Sequence, residues 1–512
     1  MDAIIRGKYL ITDPELEERS IINEGAVYIS GNTIVDVGKY NDIINKWPNK
    51  KIIGDGKQLL MPGIIDSHSH GRGLTPIQKG VPYDFLENNL LDWAYMKNFS
   101  PEITSTLCAL RHIRSGSTTI HNNGFGLIAG KEGYDIESIE AYLKTGIRLA
   151  YSLAVRNRDR FILDSANFAK TLPEELLNAF KKELFLDEKK IQEDYFVYFN
   201  KMYSQFNGDD TKILLSPGWA QGCSEELLLQ AKEVSDDSNG IPVHMHCLQT
   251  PIQKEFSLRK YGKTAIKYLE DLGVLNSNVV LGHAIWVTEE DINILAEHGV
   301  SITTHPTCNL AMRNALAPVY KMNKKGITVA MGMDDKTLND DEDALLELRV
   351  IYKLHRIDSF DLESKALDCY DVLKMGTTNG AKVLNFTNQI GAIKTGMKAD
   401  MILIDLDKIT EDPMISSKLN IIEILINRGL GRDVNTVIIN GEIVMKDREV
   451  LTIDIEKLYY DIRVAAAEGI PLEQERYADK LQEIKPYFQK WYNSWINHDD
   501  KALYNIHSSK LQ

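Results

Sequence analysis

Leu59-Leu60-Met61-Pro62-Gly63-Ile64-Ile65-Asp66-Ser67-His68-Ser69-His70 is an apolar run that ends in two histidines one residue apart. Side chains alternate along a strand, so His68 and His70 share a face and can grip one metal ion together. One such pair is a weak sign, because surface histidines pair by accident. Three later runs repeat the pattern: Ile241-Pro242-Val243-His244-Met245-His246, Val279-Val280-Leu281-Gly282-His283 and Ile327-Thr328-Val329-Ala330-Met331-Gly332-Met333-Asp334. Each closes on a metal-liking side chain. Such groups at the ends of separate strands are what a barrel with its site at the strand ends requires.

Outward from these runs, strand-like segments alternate with helical ones over residues 61–394. Thr118-Thr119-Ile120, Arg148 to Leu153, Lys212 to Ser216 and Val300 to Thr303 supply further strands, with helical periodicity over Glu225 to Ser235 and Glu289 to His298. This alternation predicts an α/β fold with a parallel (β/α)8 TIM barrel. A doubly wound open sheet carries less weight, since no glycine-rich phosphate loop follows the first strand. Gly25 to Ser30, the Gly31-Asn32 turn and Thr33 to Gly38 read as a hairpin, and Ala399 to Asp405 with Val434 to Val444 reads as a matching late region. The simplest account is a small β-sandwich domain built from both chain ends: residues 1–60 and 395–450, flanking a barrel at 61–394. Residues 451–512 read as a helical C-terminal extension, with a break expected at Pro486. Its Ile484, Phe488, Trp491 and Trp495 lie at helical spacing, which suits packing on the barrel or on a second copy in a homodimer.

The 512 residues exceed one ordinary core, and 43% hydrophobic with 26% charged content is ordinary for a globular chain. A net charge of -14 argues against nucleic acid as a partner, because phosphate binding needs a basic face. The five cysteines form no CxxC pair and suit reduced thiols in a cytoplasmic protein. The first residues lack the basic-then-apolar order of a signal peptide, and no apolar stretch reaches the roughly 20 residues that span a membrane.

The motifs, in order, resemble the amidohydrolase superfamily, and within it the branch of triazine hydrolases, cytosine and guanine deaminases and adenosine-derivative deaminases. Met61 to His70 resembles the first-strand signature, Ser115-Gly116-Ser117-Thr118-Thr119 the second-strand SGxTT, and Leu281-Gly282-His283 the sixth-strand histidine. His305-Pro306-Thr307-Cys308-Asn309 resembles the seventh-strand segment with a shifted histidine, and Gly332-Met333-Asp334 the eighth-strand GxD. The resemblance implies a metal-dependent hydrolase acting on non-peptide carbon–nitrogen bonds of a small-molecule substrate. The fourth-strand run has its only lysine, Lys212, at the wrong end to bridge two metals, so a single divalent ion follows. Its ligands would be His68, His70, His246 and Asp334, a set that suits zinc and also ferrous iron. His246 is favoured over His244, and Asp334 over Asp335.

Such an ion lowers the pKa of bound water to roughly 7. Asp334 would take the water's proton and pass it to the leaving group, with His283 orienting the nucleophile. Deaminases of this branch usually carry Glu where this chain has Gln249, and an amide cannot donate a titratable proton. Gln249 therefore keeps two alternatives beside a deaminase of a nitrogen heterocycle open, a ring-opening or amide-cleaving enzyme on a cyclic amide and a dehalogenating hydrolase. A catalytically silent scaffold is a remote third reading, since such proteins typically lose metal ligands. Arg72, Trp93, His121, Trp219, Gln221 and His305 are the expected substrate contacts, with Arg156 and Arg158 ranked behind them.

Overall fold

Ile64–Ser69 forms the strand the apolar run predicts (β1), and Gly63 separates it from the preceding strand Gln58–Pro62. In this computed structural model, which describes residues 1–126, 132–238, 240–356, 362–416 and 418–496, seven more strands follow. They are β2 Ser117–Gly124, β3 Arg148–Val155, β4 Thr211–Pro217, β5 Val243–Cys247, β6 Val279–His283, β7 Ser301–Thr304 and β8 Val329–Met331. Each pairs in parallel with its neighbour in chain order. Nearly every strand residue is buried, as a parallel sheet covered on both faces requires. The (β/α)8 expectation is met.

The outer helices start and stop where local chemistry dictates. Pro101–Ser115 (α1) begins with Ser100 Oγ accepting the Ile103 N–H and Pro101 in its first turn. It ends at Gly116, whose φ of 91° only glycine adopts without strain. Its buried face carries Leu107, Cys108, Leu110 and Ile113 into the main core.

Closure between β1 and β8 is made by a short seam. The Asp334 N–H donates to the His68 carbonyl at 2.7 Å, and the His70 N–H to the Asp334 carbonyl at 3.3 Å. The Asp66 carboxylate reinforces it, with Oδ1 accepting from the N–H groups of Met333 (2.9 Å) and His68 (3.2 Å).

Both chain ends contribute to the sheets below the barrel. Met401–Asp405 pairs antiparallel with Gln58–Pro62 inside a seven-stranded sheet, and Asp2–Arg6 sits in a four-stranded one. Both predicted hairpins form, turning at Gly31 and at Asn440-Gly441. The two sheets share a core of Ile5, Val27, Leu60, Met401 and Leu403, among others. Arg148 at the start of β3 ties barrel to sheets: its Nε donates to Asp400 Oδ2 at 2.6 Å and its Nη2 to Oδ1 at 3.0 Å.

The C-terminal helix Leu472–Asn493 (α2) runs through Pro486 without the expected break. Ile484 and Phe488, on either side of that proline, are both buried, and this anchoring outweighs the single backbone bond that proline forfeits. The aromatic stripe packs within its own chain: Phe488 lies against Phe161 and Phe168, and Trp495 against Phe256. Of the two packings the stripe suits, the one within the chain is seen, with Ile484, Phe488 and Trp495 buried there and Trp491 half-buried. Residues 497–512 of the expected extension lie outside the described residues. Among the described residues, no helix is long and apolar enough to cross a membrane.

Replacing Asp400 by Ala would strand the buried Arg148 guanidinium, with only Asp210, itself half exposed, to answer it. We expect a loss of about 3 kcal/mol in unfolding free energy, read by urea denaturation; an unchanged midpoint would remove this pair from the fold's support.

Candidate metal centre and its cavity

The seam brings the metal-liking side chains together at the C-terminal ends of the strands. His68 is fully buried in β1, His70 follows that strand, His246 is the last residue but one of β5, His283 ends β6, and Asp334 follows β8. His68, His70 and His246 have ring nitrogens mutually within 4.8 Å, and so do His68, His283 and His305 with an Asp334 oxygen. Asp334 Oδ1 stands 3.1 Å from His70 Nε2 and 3.6 Å from His68 Nε2. A tetrahedral ion with bonds of about 2.1 Å sets its ligand atoms about 3.4 Å apart, so these spacings fit one.

The hydrogen-bond network decides which nitrogen each ring presents. The His246 Nδ1–H donates to the Gly218 carbonyl at 2.8 Å, and that of His70 to the Asn123 carbonyl at a longer 3.4 Å. His68 Nδ1 lies 2.7 Å from His244 Nε2, and as the donor of that hydrogen bond it leaves its own Nε2 free to ligate. All three rings are thereby turned with Nε2 inward, and the buried Nε2 of His68 has no hydrogen-bond partner among the described residues. An orphaned lone pair beside two more imidazoles and a carboxylate is the donor set of a divalent ion. Burial pushes the pKa values of His68 and His246 well below the ordinary imidazole value, which leaves them neutral, the form that ligates. For Asp334 burial pulls the other way, but the His68 and His70 rings beside it outweigh burial and hold the carboxyl well below its usual range.

His283 occupies a second position. Its Nδ1–H donates to Asn309 Oδ1 at 2.9 Å, and its Nε2 lies unpartnered 3.6 Å from Asp334 Oδ2. Backbone strain gathers here. His283 (φ 73°), Asp334 (φ 57°) and Leu248 (φ 53°) all adopt the left-handed region that side chains avoid.

The cavity above these groups measures about 60 Å³. Of the residues expected from sequence, it is walled by His70, His246, Asp334, Gln249, Arg72, Trp93 and Trp219. Arg72 stacks on Trp93 at 4.1 Å and pairs with Asp335 at 3.3 Å, so its loop salt bridge and its place at the cavity coexist. Three expected contacts lie off the wall. His121 is fully buried with both nitrogens engaged, by the Ser67 carbonyl and Ser152 Oγ, and burial lowers its pKa to about 4. His305 is held between His283 and Thr303, and Gln221 is buried behind Trp219 in the chain. Sequence reasoning underrated Arg156 and missed the apolar wall of Leu86, Leu90, Phe125 and Met312, which comes from loops without periodicity.

It also set His112 aside. That ring, on the inner face of α1, bonds Asp66 Oδ2 through Nε2 at 2.8 Å and faces Glu342 at 3.2 Å through Nδ1. Burial opposes its charge, but the Cys108 thiol, Glu342 and Asp66 outweigh burial and hold its pKa well above the imidazole range. Lys336 in turn pairs with Glu342. Two cations and two carboxylates thus alternate behind the seam.

A Cβ at Gly332 would stand 2.7 Å from His68 Cβ and 2.6 Å from His305 Cδ2. The Gly332→Ala variant should therefore retain its circular-dichroism spectrum while its bound divalent metal falls several-fold by elemental analysis. Full metal content would show that the His68 position tolerates displacement.

The chain matches the model of the amidohydrolase family over residues 59–444. It is 30% identical over 457 residues to the 5-methylthioadenosine/S-adenosylhomocysteine deaminase of Thermoanaerobacter pseudethanolicus, covering 88% of this chain and 95% of that one. It is 29% identical over 480 residues to the 5'-deoxyadenosine deaminase of Methanosarcina barkeri, covering 91% and 98%. Among solved structures, an adenosine deaminase from Xanthomonas campestris with bound zinc superposes with a TM-score of 0.74 at 20% identity, covering 94% of this chain and 99% of that one. Atrazine chlorohydrolase from Arthrobacter aurescens complexed with zinc does so with a TM-score of 0.74 at 22% identity, covering 90% and 99%. Both structures share the fold. With the family signature spread over barrel and sheets alike, the chain belongs to the amidohydrolase family.

Proposed function

We propose that this chain is a hydrolase of non-peptide carbon–nitrogen bonds, an aminohydrolase of a nitrogen heterocycle that uses one divalent metal ion. The observation that carries the reading is the convergence of three inward Nε2 atoms and the Asp334 carboxylate on the floor of one cavity. Nearly full-length likeness to proteins named as deaminases of adenosine derivatives supports the reaction class.

His68, His70, His246 and Asp334 would hold the ion, and three imidazoles with one carboxylate suit zinc or ferrous iron. Bound there, the ion would supply Lewis-acid activation of water near neutral pH. Asp334 accepts the attacking water's proton on the carboxylate oxygen facing His283 and returns it to the leaving amine. His283, fixed by Asn309 with its free Nε2 toward Asp334, orients the nucleophile and steadies developing charge. Gln249 reaches the cavity and hydrogen-bonds the ring without protonating it. The five buried free thiols suit a reducing compartment, in keeping with a cytoplasmic enzyme.

Gln249 also favours a second reading: ring opening or amide cleavage, where no ring nitrogen needs a proton. Mass-spectrometric product analysis of the zinc-loaded protein against pooled aminated, halogenated and cyclic-amide heterocycles separates the two. Exchange of an amino group for oxygen is expected. Simple addition of water would establish the second reading, loss of halogen a dehalogenating hydrolase, and no bound metal with no product a silent scaffold.

Changing His283 to Ala should leave the metal content intact and lower turnover by roughly 10²–10⁴-fold. Loss of metal in that variant would make His283 a ligand instead.

A further inference from the structure

Arg72, Arg148 and Arg158 each have a carboxylate: Arg72 pairs with Asp335, Arg148 with Asp400, and Arg158 with Glu188 at 2.7 Å. Arg156, directly after β3, has none among the described residues. Its guanidinium stacks on the Trp219 ring at 4.2 Å, and its Nε and Nη1 are buried without a hydrogen-bond partner. The stem runs in a slot left by two glycines: a Cβ at Gly218 would stand 3.2 Å from its Cγ, and one at Gly222 3.2 Å from its Cδ. Gly218 is also the residue whose carbonyl orients His246, so Arg156 stands next to the metal-binding floor and lines the same cavity. Burial lowers its pKa to about 10, which still leaves it a cation at neutral pH.

A buried cation with two idle donors is costly unless a counter-charge arrives. The described residues offer none. Asp335, on the far side, is already answered by Arg72 through Oδ2, and its idle Oδ1 can accept an N–H. Nε and Nη1 lie on different edges of the guanidinium, so each makes a fork together with Nη2. Such a fork matches a carboxylate with two parallel hydrogen bonds, and stacking on Trp219 fixes the plane in which it opens.

We infer that the substrate carries an anionic oxyacid group, a carboxylate by the geometry of the fork, which Arg156 binds against the Trp219 wall. The inference rests on the reading of this cavity as the substrate site and makes Arg156 a specificity-determining residue of it. The heterocycle then sits between that wall and the metal-binding floor, with its anionic substituent pointing away from the reacting carbon.

The test uses the full-length zinc-loaded protein and a matched pair of probes, nicotinate and nicotinamide, with binding read by calorimetry. Neither probe is an aminated heterocycle, so the result is independent of the aminohydrolase reading, which fails separately if no aminated heterocycle is turned over. Nicotinate should bind about tenfold tighter than nicotinamide to the unaltered protein, and the preference should vanish in Arg156→Gln. In Arg156→Lys, which keeps the charge and loses the fork, part of the preference should remain, and this variant serves alone if the glutamine one does not fold. Equal binding of the two probes by the unaltered protein would overturn the inference. So would a preference that survives intact in both variants, which would place the carboxylate on the metal.

Discussion

Everything at the site depends on how β1 meets β8. The barrel is closed there by backbone hydrogen bonds that belong to His68, His70 and Asp334, the same residues whose side chains form the floor of the cavity. Closing the sheet and assembling the donor set are one event. Asp66 strengthens the joint by holding an N–H from each side on one oxygen, and His112 holds its other oxygen. Behind it Glu342, facing His112, and Lys336, pairing with Glu342, extend the alternation of charges.

Orientation follows from the next layer. A histidine ligand is useful only if the correct nitrogen faces the ion, and here backbone carbonyls or a neighbouring ring fix that choice at each position. The left-handed backbone at His283 and Asp334 carries the chain round the strand ends so that both side chains face inward. Such strain persists because the closed barrel over-determines these residues. Gly332 has no side chain because the His68 and His305 rings occupy the space one would need.

The parts of this arrangement that are local in sequence were legible there. The paired histidines at the end of an apolar run, His283 at the end of the β6 run and Asp334 beyond β8 announce a barrel with its site at the strand ends, because alternation and burial leave a periodic trace. The hairpin turns at Gly31 and Asn440-Gly441 were legible for the same reason. What escaped is set by contacts distant in sequence. His112 reads as one more helical residue until α1 is placed against β1, and Arg156 ranks low among the candidate contacts until its described neighbours prove to hold no carboxylate for it. Pro486 reads as a helix breaker until the packing on both sides of it is known. His121 reads as a substrate contact until Ser67 and Ser152 are seen to occupy both its nitrogens.

The most direct measurement of the central claim is anomalous diffraction from crystals of the zinc-loaded protein, collected on both sides of the zinc edge. One peak per chain, bonded to Nε2 of His68, His70 and His246 and to an oxygen of Asp334, is the predicted result. A peak bonded to His283 or His305 in place of His70 and His246, or two peaks in the same cavity, would contradict it.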